Sequence, residues 1–202
     1  PLMDPARLVE GMDAVDDREA ELRLALLAHV VTPAEAPAIA DQVIGRDRLE
    51  VRYAGLGLLT RLGVAAIGQW PRLLAADDFI LRKLVLRRIR EIGDPAFVPL
   101  LESHLEAGKD TPGNLDLTRL ALGELLLAKG DDERAAELLA AIPVDDPLYA
   151  IGRLALADRA EATGDLAAAL EHLDAAMAAS RQVYVDRDRL DKLRRAVAEP
   201  AP

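Results

Sequence analysis

Hydrophobic positions along residues 116–180 recur at a fixed offset of 34. Gly130-Asp131 returns as Gly164-Asp165, Ala135 as Ala169, Leu139 as Leu173 and, on the preceding helix, Leu122 as Leu156. Small and large apolar residues alternating at that period mark a helix–turn–helix unit, too thin to bury its own apolar face and stacked on a copy of itself. Helical punctuation fits this pattern. Asp146-Pro147 reads as an N-cap with proline in the first turn.

Upstream, Asp4-Pro5 opens a short helix, and Asp16-Asp17-Arg18-Glu19 and Thr32-Pro33-Ala34-Glu35 read as capping boxes. The helix between them, ELRLALLAHV, is apolar over most of its circumference and is expected to be buried on two sides. Asp47 to Glu50 caps a helix that Gly63 stops, Asp78 caps one that Gly93 stops, and Asp94-Pro95 opens its partner, running to about Gly108. A second internal repeat appears when these helices are superimposed. Leu22-Arg23, Val51-Arg52 and Leu81-Arg82 align, as do Ala25, Ala54 and Leu84, then Leu27, Leu56 and Leu86, at offsets of 29 and 30.

The phrase IREIGDPAFVPLLESHL, Ile89 to Leu105, joins a helix that begins with an apolar-Arg pair to a second apolar helix through Gly-Asp-Pro. In this the stretch 17–108 resembles HEAT-like repeats. Residues 109–114 (KDTPGN) are the boundary candidate, since Thr111-Pro112-Gly113-Asn114 does not easily continue a helix. Beyond them, 115–180 resembles two tetratricopeptide repeats, with Gly123 and Ala157 as the small residues at the helix crossing, Ala135 and Ala169 as the later alanines and Pro147 as a closing proline. Where that family carries a bulky aromatic and a central tyrosine, Arg119 and Arg153, then Leu126 and Ala160, stand here. Residues 181–202 are expected to form a capping helix, with Val183, Leu190, Leu193 and Val197 as its apolar stripe. Residues 1–16 are left as Pro1-Leu2, read as a vector remnant before a native Met3, and the short helix. The expected fold is therefore all-α: a right-handed α-solenoid of stacked antiparallel helix pairs, roughly eleven or twelve helices in a row.

Composition narrows the function. Apolar residues make up 51% of the 202 but aromatics only 3%, so the core is Leu, Ala, Ile and Val in helices. Cysteine is absent, which removes disulfides and thiol chemistry. No apolar run approaches the roughly 20 residues of a membrane span, no basic-then-apolar leader is visible, and the expected compartment is the cytoplasm. The net charge of −10 concentrates in 110–180, where 14 acids face 5 bases, against 8 and 10 in 47–109. Such a field repels nucleic acid and anionic membrane and favours a basic partner.

No constellation for catalysis emerges, and neither a cofactor nor a metal is expected. His29, His104 and His172 lie on three different helices, and Ser103 and His104 are adjacent, so their side chains diverge on a helix. Acidic pairs such as Asp131-Asp132 and Asp145-Asp146 fall at helix starts, where carboxylates suit the dipole. Two binding surfaces are candidates. The resemblance to tetratricopeptide repeats implies an inner groove presenting Leu117, Leu120, Glu124 and Leu127, then Ile151, Leu154, Asp158 and Glu161. Such a groove would have an apolar floor and acidic walls, unless the solenoid's own helices fill it. It lacks the Lys, Arg and Asn with which the chaperone-tail-binding members of that family clamp a carboxylate. A second patch comprises Trp70 with Arg82, Lys83, Arg87, Arg88 and Arg90, around a buried stripe of Leu81, Leu84, Val85 and Ile89. The patch reads either as a solvated face with Trp70 packed inside, or as a docking surface with Trp70 as anchor.

The sequence thus points to a non-enzymatic adaptor that holds a basic or amphipathic protein or peptide, with homo-oligomerisation open. The alternative is a nucleic-acid-binding or DNA-repair HEAT-like protein using the basic helix at 82–90. Scarce aromatics and the sign of the net charge disfavour it.

Overall fold

The computed structural model describes residues 4–32, 34–35, 38–39, 42–43, 51, 56–57, 59–60, 67–180 and 186–198, and all regular elements among them are helices. The chain forms two compact units, Pro1–Leu100 and Leu101–Pro202.

In the first unit, α1 (Pro5–Val9) starts at Asp4, whose carboxylate accepts from the Ala6 N–H. α2 (Asp17–Val30) starts at Asp16, which accepts from the Glu19 N–H at 2.8 Å. The Glu19 carboxylate does not complete the expected box; it takes the Arg23 guanidinium one turn on, which also donates to the Glu10 carbonyl at the end of α1. The Thr32 box forms by half: the N–H and the O–H of Thr32 both donate to the Glu35 carboxylate, while the Glu35 N–H donates to the Thr32 carbonyl and not to its hydroxyl. The two bonds to the carboxylate hold the Glu35 carboxyl below its ordinary pKa.

α2 is buried on one face, not two. Ala20, Leu24 and Leu27 join Val9, Met12, Ile39, Val43 and Val51 in a core, while Leu22 is 58% and Leu26 41% exposed. A five-residue α1 is too short to cover a second side. Of the three superimposed helices, the column Leu27, Leu56 and Leu86 is buried throughout, whereas Leu22 is exposed where Val51 and Leu81 are buried. Gly63 and the cap at 47–50 lie outside the described residues.

α3 (Trp70–Leu74) packs on α4 (Phe79–Ile92), which Asp78 caps through the N–H groups of Ile80 and Leu81. The buried stripe of α4 is Leu81, Val85, Leu86 and Ile89; Leu86 takes the place expected for Leu84, which is half-buried. Gly93 (φ 65°) ends α4, and a 3-10 turn at Pro95–Phe97 leads into α5 (Val98–Ala107). The division between the units falls inside α5, ahead of the 109–114 stretch. Only 109–111 of that stretch form a corner, since Pro112, Gly113 and Asn114 are already the first turn of the next helix, capped by Thr111. Asp110 accepts from the Thr111 N–H and the Asn114 amide, and its buried carboxylate lies 3.2 Å from His104 Nε2.

The second unit holds two helical hairpins, α6 (Pro112–Lys129) with α7 (Asp132–Ala140) and α8 (Pro147–Thr163) with α9 (Leu166–Ala179), followed by α10 (Arg187–Ala198). α8 packs on both α6 and α7, and α10 on α9. The 34-residue period is visible in the backbone. Gly130 (φ 82°) and Gly164 (φ 85°) both turn left-handed. The next N–H reaches back in each case, Asp131 to the Leu126 carbonyl and Asp165 to that of Ala160, both at 2.9 Å. This is a helix stop in which glycine carries a conformation that a Cβ would disfavour.

The small residue at the crossing is a steric requirement. A Cβ on Gly123 would lie 2.7 Å from Leu139 Cγ, and one on Gly152 would lie 3.2 Å from Leu139 Cδ2, so a single leucine of α7 nests against glycines of α6 and α8. Leu173, one period on, is buried with Ala157. Gly123→Val should therefore destabilise the chain by about 1–3 kcal/mol through overpacking. Adding Leu139→Ala should recover part of that loss, as read from urea midpoints by circular dichroism. An additive double variant would contradict the contact.

Candidate functional site

The expected inner groove is not an open surface. On α6, Leu117, Leu120 and Leu127 are buried, Leu120 at 0% exposure, and Glu124 is half-buried. α6 has apolar residues buried around most of its circumference, so its first-helix face is core and not floor. On α8, Ile151 and Leu154 are half-buried, and Leu154 packs against the cluster formed by Ala157, Ala160, Ala169, Leu173, Leu190 and Leu193.

The acidic walls are already in use. Arg189 of α10 donates from Nε to Glu161 at 2.6 Å and from Nη2 to Asp158 at 2.5 Å, while Leu190 and Leu193 bury themselves below. An amphipathic helix carrying arginine is the occupant that the groove's chemistry calls for, and the chain supplies it. Val197, the outer end of the expected stripe, is 38% exposed, and Val183 lies outside the described residues. A cavity of about 480 Å³ runs beside α10, lined among others by Glu161, Asp188, Arg189 and Lys192. Its charges are mixed, and Arg189 pairs with Glu161 on its wall.

The second patch divides. Trp70 is 0% exposed and meets Phe97 edge-to-face, ring centroids 5.3 Å apart at 79°, so it is a core residue and not a partner anchor. Arg82 donates to the Ala76 carbonyl, which closes the turn between α3 and α4, and Arg88 pairs with Glu91 at 2.5 Å. Arg90 is half-buried; Lys83 and Arg87 are exposed. The docking version of this patch thus shrinks from six residues to those two cations.

The histidines do not converge. His29 is exposed in the last turn of α2, His104 faces Asp110, and His172 Nδ1 lies 3.2 Å from Arg153 Nη1. Burial first, and then the Arg153 charge, push the His172 pKa below its ordinary value. Its neutral ring accepts from an arginine that also stacks 4.9 Å from the Tyr149 ring centroid. Among the described residues no group of His, Asp or Glu is placed to hold a metal ion, and no helix is long and apolar enough to cross a membrane.

A site that sequence reasoning missed lies between α5 and α7, over α6. Leu105, Leu122 and Leu138 floor a cavity of about 270 Å³, with Glu102, Glu106 and Glu137 on its walls. Arg134 joins this rim, donating to Glu102 at 2.5 Å and to Asp131 at 3.1 Å. Those two bonds, Glu102 first, raise its already high pKa, so it stays cationic. Glu106 and Glu137 are exposed, Leu105 and Leu138 half-buried. The available signal was Glu102-Glu106 flanking Leu105 on one helix and Glu137-Leu138 on another. Their approach across α6 is tertiary and has no trace in either segment's pattern.

No known family model matches the chain, and neither a characterised protein nor a solved structure matches it at a significant level.

Occupation of the inner groove by α10 has a testable consequence. Arg189→Glu should leave α6 to α8 intact while lowering amide-exchange protection across 187–198 by about fivefold, the equivalent of roughly 1 kcal/mol for an exposed ion pair, with a larger loss at low salt. Unchanged protection in α10 would mean that Leu190 and Leu193 alone hold it.

Proposed function

We propose that the protein is a non-enzymatic adaptor that holds a basic amphipathic segment of a protein partner in the α5–α7 groove of its second unit. The carrying observation is the composition of that groove, three leucines beneath three carboxylates of which two are exposed. An apolar floor takes one large side chain, and the acidic rim selects Lys or Arg beside it. In this reading the hairpins belong to a right-handed α-solenoid, HEAT-like in the first part and tetratricopeptide-like from 115 onward, working in the cytoplasm. The 34-residue recurrence of glycine stops and crossing residues supports the stacked-repeat form. The separation of His29, His104 and His172 on different helices, and the pairing of Asp132, Asp158 and Glu161 with arginines of the same chain, support a binding role over a chemical one.

A fluorescently labelled leucine–lysine amphipathic peptide tests it by anisotropy. Glu106→Lys/Glu137→Lys should weaken binding at least about tenfold, because it replaces attraction with repulsion at the rim. Glu133→Lys/Glu171→Lys, the same charge change on two exposed residues outside the groove, should have a small effect. Equal losses from both variants would reduce the interaction to the general acidic field and reject the site.

A further inference from the structure

We propose that the occupant of this groove is a second copy of the chain, docking through the exposed face of its α4, so that the protein associates head to tail. The proposal rests on the groove being a docking site and names the partner.

α4 has two faces. Leu81, Val85, Leu86 and Ile89 are buried, while Ile80, Lys83 and Arg87 stand at i, i+3 and i+7 on one exposed stripe, with Ile80 49% exposed. A large apolar residue therefore leads two cations along one line. The groove is its complement in charge and in pitch. Its lining holds three carboxylates and one guanidinium, an excess of two negative charges, and Lys83 and Arg87 carry two positive ones. Lys83 and Arg87 are four residues apart on one helix, as are Glu102 and Glu106 on another, so each pair is spaced at about 6 Å along its axis. Ile80, beyond the cations, is the side chain for the floor of Leu105, Leu122 and Leu138.

The other basic amphipathic helix, α10, is no rival. Its Leu190 and Leu193 are buried, and Arg189 and Arg194 are engaged with Asp158, Glu161 and Asp174.

The α4 stripe and the groove are different surfaces, so the contact is heterologous. Each docked copy leaves one stripe and one groove unused, and growth continues into a ring or an open chain. Rim ion pairs are individually weak and screened by salt, which makes the association concentration-dependent and salt-sensitive.

Sedimentation velocity and light scattering on the full chain, over about a hundredfold concentration range at low and high salt, test this. The wild type should grow in mass with concentration at low salt and shrink at high salt. Lys83→Glu/Arg87→Glu and Glu106→Lys/Glu137→Lys should each be monomeric, with unchanged circular dichroism because all four side chains are exposed. Mixing the two variants should restore growth with concentration, since each intact stripe meets an intact groove and each reversed stripe meets a reversed groove. A chain with all four reversals should associate again. A wild type that stays monomeric, or a dimer indifferent to both pairs, overturns the proposal. If the wild type is monomeric yet the leucine–lysine peptide binds the groove and Glu106→Lys/Glu137→Lys releases it, self-docking fails and the adaptor reading stands. If the peptide does not bind either, both fall.

Discussion

One leucine joins the two hairpins of the second unit. Leu139 lies against Gly123 of its own hairpin and Gly152 of the next, at distances that leave no room for a Cβ on the first and little on the second. Close-packed interiors transmit such contacts as fixed distances. The crossing sets how near α6, α7 and α8 can approach. That in turn fixes where α7 presents Arg134, Glu137 and Leu138 opposite α5. The α5–α7 groove is a consequence of that spacing, and the same packing makes α6 a core helix with little face to spare.

Charge is distributed by the same hierarchy. Much of the acidic excess of residues 110–180 serves helix starts and intramolecular pairs: Asp146 and Asp165 accept at N-termini, Asp132 holds Arg159, and Asp158 and Glu161 hold Arg189. Glu106 and Glu137 are exposed on the rim of an apolar hollow. A carboxylate beside leucines that solvent can reach is a different object from one that caps a helix, although the two look alike in the chain.

The local grammar of the fold was legible. Asp4, Asp16, Asp78, Asp94 and Asp146 cap where their neighbours suggest, and Gly93 stops its helix, because these are interactions among residues within one turn. The 34-residue period also survives as geometry. What the pattern could not resolve was which apolar face meets what. Leu22 and Leu26 are exposed on a helix expected to be buried on two sides, Trp70 is wholly interior, and the groove inferred for α8 is filled by α10 from 28 and 31 residues away. Each depends on a neighbour distant in the chain. The α5–α7 groove escaped notice for the same reason, since its two walls are 28 or more residues apart.

Native-state hydrogen exchange on Leu139→Ala against the wild type is the most direct test of the shared leucine. Truncating a buried leucine costs about 2–5 kcal/mol where the site cannot collapse. If Leu139 couples the hairpins, protection should fall together in α6, α7 and α8. A loss confined to α6 and α7, with the amides of Gly152 to Leu156 unchanged, would show that the hairpins open independently and would contradict the account.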